Sequence, residues 1–229
     1  MTQPAPALKA THIVVLLDRS GSMETIAADV VGGYNTFIKE QREAGGDANV
    51  TLVQFDTQDP HEVVYEGLPI ADVPKLTSKT FIPRGGTPLF DATGKLVARI
   101  REQRALDTRP TNEQPDVVFV TITDGEENES TEFSLQQLRQ LTTNCEKEGW
   151  TFVYLSAGID AYENAGDLGV NSGRARAFTA NKGGADAMFS NLSSSMLMLR
   201  DKKRRRMDTS ADAFFDDSKV DRILGEDED

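Results

Sequence analysis

Hydrophobic positions along the chain fall into runs that alternate with amphipathic stretches. Residues 12–17 are rich in β-branched and Leu side chains without period-two alternation, the pattern of a strand buried on both faces. After the turn Arg19-Ser20-Gly21-Ser22, residues Ile26, Val30, Tyr34, Phe37 and Ile38 recur at helical spacing, and Gly45-Gly46 ends that helix. Residues 49–55 and 62–66 predict two strands around a short turn containing Asp59-Pro60, an antiparallel hairpin. The loop 83–88 (PRGGTP) opens a second helix, with Pro88 suited to its first turn and Leu89, Ala92, Leu96, Val97 and Ile100 as its face. Residues 116–123 predict another doubly buried strand, ending at Asp124-Gly125. A helix with Leu135, Leu138, Leu141 and Cys145 then leads through Gly149 to a strand at 150–155. A short helix around 161–168, an edge strand at 175–179 and a helix at 184–200, with Met188, Leu192, Met196 and Leu199 inward, complete the pattern.

That order predicts an α/β fold: a doubly wound, mostly parallel sheet with one antiparallel strand, over residues 8–200. A charged C-terminal extension with a helical tail, 201–229, follows. Residues 200–206 carry six bases and one acid, whereas 216–229 carry seven acids and two bases. The apolar anchors of this segment are Phe214-Phe215 and Ile223-Leu224, which predict an arm that docks.

Composition narrows the functional classes. The 229 residues are 38% hydrophobic, enough for a sizeable core, and the net charge of −12 argues against broad binding to nucleic acid or anionic membranes. A single cysteine excludes an intramolecular disulfide or a Cys-rich zinc site. The run 13–17 is too short for a signal sequence, and no segment reaches transmembrane length, so a soluble cytoplasmic protein is expected.

Three loops concentrate hard oxygen donors where a doubly wound sheet binds ligands, beyond the carboxyl ends of its strands. The first holds Asp18, Ser20 and Ser22 at alternate positions of a tight turn. The second offers the Thr87 hydroxyl after Gly85-Gly86, and the third offers Asp124 after its strand. Two carboxylates and three hydroxyls suit Mg²⁺ or another hard divalent ion such as Mn²⁺ or Ca²⁺. They leave one coordination position for water or for an incoming carboxylate, which is adhesion chemistry more than catalysis. Glu126, Glu127 and Asn128 follow closely, either as outer-shell oxygens or as a solvated loop. His12, His61 and Cys145 read as ordinary structural residues.

The DxSxS turn, the Thr of GGTP and the Asp of TDGE, in this order and context, resemble the metal-ion-dependent adhesion site of von Willebrand factor A-type (VWA) domains. The resemblance covers roughly residues 10–200, and the helix segment 32–38 (GGYNTFI) is similar to stand-alone cytoplasmic members of bacteria and phages. It implies a Rossmann-like fold, a bound Mg²⁺ or Mn²⁺ held by Asp18, Ser20, Ser22, Thr87 and Asp124, and binding to a protein that offers a carboxylate. AAA-type ATPases and assembly partners are the partner classes it implies, and no enzymatic activity is expected.

Two other readings compete. Asp18 at the end of the first strand could be the nucleophile of a Mg²⁺-dependent phosphohydrolase, but Ser20 stands where a second acid is needed, with no evident lysine or general acid. The run Arg200 to Arg206 could grip nucleic-acid phosphates, although bases are also favoured at a helix C-terminus and an acidic tail lies close in sequence.

Overall fold

The computed structural model describes residues 9–125, 127–157, 161–205, 207, 209 and 213–215. Six strands form one sheet: β1 (Thr11–Asp18), β2 (Ala48–Phe55), β3 (Glu62–Pro69), β4 (Asp116–Thr123), β5 (Thr151–Ser156) and β6 (Ala175–Ala177), in the order β3-β2-β1-β4-β5-β6. Every pairing is parallel except the β2–β3 hairpin. This is the expected doubly wound α/β sheet with one antiparallel strand, and its order reverses between β1 and β4.

The helices are α1 (Ala27–Glu43), α2 (Leu89–Leu106), α3 (Leu135–Lys147), α4 (Ala161–Asp167) and α5 (Lys182–Arg204). The inner strands divide their side chains between two cores. Ile13, Val15 and Leu17 of β1 join the core under α1 and α5, whereas Val14 and Leu16 join the one under α2, α3 and α4. Continuous apolarity in β1 therefore reflects two covered faces, each reached by alternate residues.

Boundaries differ from expectation where local chemistry decides them. The first helix begins as a 3-10 turn over Gly21–Ile26, because residues there belong to the tight turn leaving β1. Pro88 caps α2 instead of entering its first turn. In α3 the buried line is Leu138, Thr142 and Cys145, with Leu135 and Leu141 partly covered, and a reciprocal Ser134–Gln137 capping box starts the helix. β3 extends to Pro69, and α5 runs four residues beyond 200.

That extension of α5 uses much of the basic run internally. Arg200 is buried and donates to the Gln41 backbone and side-chain oxygens and to the Gly45 carbonyl, at 2.9, 3.0 and 3.0 Å. Lys203 and Arg204 donate to the Gly149 and Gly45 carbonyls. The same helix crosses α1 closely: a Cβ added at Gly33 would stand 2.1 Å from the buried Phe189 ring. Phe214 and Phe215 are buried beside this face, edge to face at 4.8 Å, with both amides donating to the Gly173 carbonyl. Most of the expected 201–229 extension, including Ile223-Leu224, lies outside the described residues.

Of the remaining singled-out residues, His12 pairs through Nε2 with the Thr51 hydroxyl at 2.8 Å. Burial, aided by Arg104, pulls its imidazole down to about 4, so it is neutral at pH 7. Cys145 is fully buried, and burial lifts its thiol to about 11. Among the described residues, no helix is long and apolar enough to cross a membrane.

Candidate metal centre

The strand order puts the carboxyl ends of β1 and β4 side by side, in register from Thr11–Asp116 to Leu17–Ile122. Asp18 closes β1 and Asp124 follows β4, so parallel pairing brings two carboxylates 106 positions apart in sequence to one edge of the sheet. The turn after β1 folds back on Asp18: the Ser20 amide donates to Asp18 Oδ1 at 2.6 Å. The hydroxyls of Ser20 and Ser22 lie 3.0 Å apart, and Ser22 donates to Asp124 Oδ1 at 2.8 Å. A Cβ added at Gly125 would stand 3.2 Å from Thr87 Oγ1 and 3.8 Å from Ser22 Oγ, so the third loop leaves a cradle onto which the second loop's hydroxyl opens. All five sequence-predicted positions, Asp18, Ser20, Ser22, Thr87 and Asp124, thus meet at this end.

Burial governs the electrostatics of both carboxylates. Asp18 is fully buried, and burial pushes its carboxyl up to about 6 despite hydrogen bonds from Thr123 and Ser20, with the nearby Asp124 charge adding to the rise. Burial also raises the half-exposed Asp124, against the hydrogen bond from Ser22. The donor set fits a small hard cation. An octahedral ion with bonds near 2.1 Å needs neighbouring oxygens about 3 Å apart. The Ser20–Ser22 and Ser22–Asp124 separations, 3.0 and 2.8 Å, have that spacing. Among the described residues, no group of three or more His, Cys, Asp or Glu gathers that could hold a metal, so an ion here would need hydroxyl donors beside Asp18 and Asp124.

Several supporting residues are invisible to motif reading. Thr123 donates to Asp18 Oδ2 at 2.6 Å and fixes its carboxylate plane. Asn128 forms a reciprocal pair with Thr87: its side-chain Oδ1 accepts from the Thr87 backbone amide at 2.9 Å, and its backbone N–H donates to the Thr87 carbonyl at 3.2 Å. Glu127 accepts from the Phe90 amide and from Ser130, neutralising the first turn of α2. Asn128 and Glu127 therefore brace the loops, while Glu126 lies outside the described residues. Asp91, in the same helix turn, accepts from the amides of Thr131, Glu132 and Phe133. The available sequence signal was the polar crowding of 126–132, which locates the loop without saying which donor it serves.

A doubly wound domain with an oxygen-lined cradle at its switch point is the class that fold and site define. Three-dimensional comparison makes it more specific: the chain has the VWA fold. The pilus adhesin SpaC from Lactobacillus rhamnosus GG superposes with a TM-score of 0.62 at 15% identity, over 83% of this chain and 31% of the adhesin. The SpRpn10 VWA domain gives 0.55 at 14% identity, over 79% and 94%. The manganese-loaded Plasmodium vivax TRAP protein gives 0.51 at 14% identity, over 79% and 72%. The match spans about a third of the adhesin's length. No protein-family model and no curated protein sequence matches the chain.

Proposed function

We propose that the protein is a non-enzymatic, divalent-metal-dependent interaction module. In this reading Asp18, Ser20, Ser22, Thr87 and Asp124 form a metal-ion-dependent adhesion site for Mg²⁺, or for Mn²⁺ or Ca²⁺ in its place. The observation that carries it is the convergence of two carboxylates and three hydroxyls from separate loops at the β1–β4 switch point, with neighbouring oxygens at octahedral spacing. Manganese in one protein of the same fold is consistent with it. The ion would hold the loops and present one position to a carboxylate of a protein partner. Two ligand charges balance a divalent ion, so an incoming acid completes the sphere with only one excess negative charge.

The resemblance of segment 32–38 to cytoplasmic VWA proteins of bacteria and phages supports an AAA-type ATPase or another assembly component as the proposed partner class. Affinity capture from the native host, in Mg²⁺ and in EDTA, with wild type and Asp124→Ala, tests the reading. The partner should be retained only by wild type in Mg²⁺. Equal retention by Asp124→Ala in EDTA would move the interaction surface elsewhere.

A further inference from the structure

Thr87 and the two serines are neutral donors on separate loops, so their affinity for an ion depends on how firmly those loops are set before it arrives. Loop 83–88 has no regular structure of its own, and two backbone bonds tie it to the first turn: Arg84 N–H to the Arg19 carbonyl at 2.7 Å and Gly21 N–H to the Gly85 carbonyl at 3.0 Å. Beneath them sits Asp56, the residue after β2, with no exposed surface. Its Oδ2 accepts from Arg19 Nε at 2.5 Å and from Arg84 Nε at 2.8 Å, and its Oδ1 accepts from the amides of Gln58 and Asp59 at 2.6 and 3.0 Å. One carboxylate oxygen thus joins the side chain between Asp18 and Ser20 to the side chain three residues before Thr87. The adjoining Thr57 hydroxyl accepts from the Gly86 amide at 3.1 Å, and Gly85, at φ +68°, lets the backbone pass over it. Glu62 gives Arg19 a second carboxylate at 2.5 Å.

We infer that Asp56 is a positioning residue for the metal centre: by bridging Arg19 and Arg84 it locks the first turn to the Gly-Gly-Thr loop and sets the spacing of the Ser20, Ser22 and Thr87 hydroxyls. The inference rests on the metal reading above. A buried ion pair by itself contributes little net stability, because desolvation offsets attraction. What this one accomplishes is registry between two loops from different parts of the chain. Like Asp18 and Asp124, Asp56 is an acid at the carboxyl end of a buried strand, but its charge is directed to arginines and leaves the cradle's charge unchanged.

Isothermal titration with MgCl₂ and MnCl₂ separates the possibilities, using full-length wild type, Asp56→Asn, Arg84→Gln and Glu146→Gln. Asp56→Asn removes the charge and one of two oxygens, so its amide nitrogen must face either the two guanidinium donors or the Gln58 and Asp59 amides. Arg84→Gln removes one arm at a partly exposed position, and Glu146→Gln breaks a comparable ion pair, with Arg174, at 2.9 Å. Asp56→Asn and Arg84→Gln should bind either ion about tenfold more weakly than wild type while keeping its circular dichroism, at the lower end for outer-shell residues. Glu146→Gln should bind as wild type does, whatever it loses in melting temperature. Folded Asp56→Asn with affinity within twofold of wild type would overturn the inference. Should that variant not fold, unchanged affinity in Arg84→Gln would overturn it instead. A folded wild type that binds neither ion would overturn the metal reading and this inference together.

Discussion

Replacing Asp18 by Asn should stabilise the metal-free protein while abolishing its response to Mg²⁺. In the absence of a cation, burial holds the Asp18 carboxyl at about 6, against an ordinary 3.8. The folded state therefore binds this proton more tightly than the unfolded state does. The destabilisation from the ionised form is fully present above about pH 6 and fades as pH falls toward 3.8. A rise of that size corresponds to about 3 kcal/mol at pH 7.5. Asn keeps the shape and one acceptor. Its Oδ1 can take the Ser20 amide, and Thr123 Oγ1 can turn its hydrogen to the Gly125 carbonyl, 3.1 Å away, and accept from the new amide. Allowing about 1 kcal/mol for poorer hydrogen bonding leaves a gain of about 2 kcal/mol. In a chain of this size that is about 4–8 °C in Tm. The assay is a set of thermal melts in EDTA and in 10 mM MgCl₂, at pH 7.5 and 4.5. In EDTA the variant should melt higher at pH 7.5, lose that advantage at pH 4.5, and show no Mg²⁺ shift. A variant that melts several degrees lower in EDTA at both pH values would show instead that Asp18 is an ordinary structural hydrogen-bond acceptor.

Gly125→Ala should leave the melt in EDTA within about 1 kcal/mol of wild type, since no backbone strain forbids it. It should weaken the Mg²⁺ shift, because the new methyl enters the cradle 3.2 Å from Thr87 Oγ1. Gly33→Ala drives a methyl into the buried Phe189 ring, which must shift to admit it, and should cost about 1–3 kcal/mol by denaturant unfolding, with the Mg²⁺ shift retained. Phe215→Ala removes a buried ring and its contact with Arg176, whose guanidinium carbon lies 5.0 Å from the ring centroid. Amide exchange at residues 214 and 215 should accelerate strongly while β1 and β4 keep their protection, and unchanged exchange there would show that the arm does not depend on this ring.

Much of the fold is legible in the sequence because its inner strands are buried on both faces, and uninterrupted runs such as Ile13–Leu17 and Val117–Val120 have few other uses in a chain of this composition. The five converging residues are legible for a related reason: each stands at a fixed offset from a strand end or a helix start, so recognising the element places the residue. What surrounds them is not. Asn128 pairs with Thr87 across 41 positions, Thr123 with Asp18 across 105, and Asp56 with Arg19 across 37. No periodicity carries such pairings, which exist only once the loops are brought together. Arg200 is the reverse case, a member of a run that suggests an exposed basic patch, yet buried on carbonyls of α1 and the turn after it. Sequence composition gives the charge but not the direction in which it points.

The most direct test of the central claim is a crystal of the full-length protein soaked in MnCl₂, with anomalous difference density recorded near the manganese edge. One dominant peak should lie within coordination distance of the Ser20, Ser22 and Thr87 hydroxyls, between the carboxylates of Asp18 and Asp124, and should be lost from Asp124→Ala crystals treated the same way. Density elsewhere, or none at this cradle in crystals that diffract well, would contradict the assignment of these five residues to a metal.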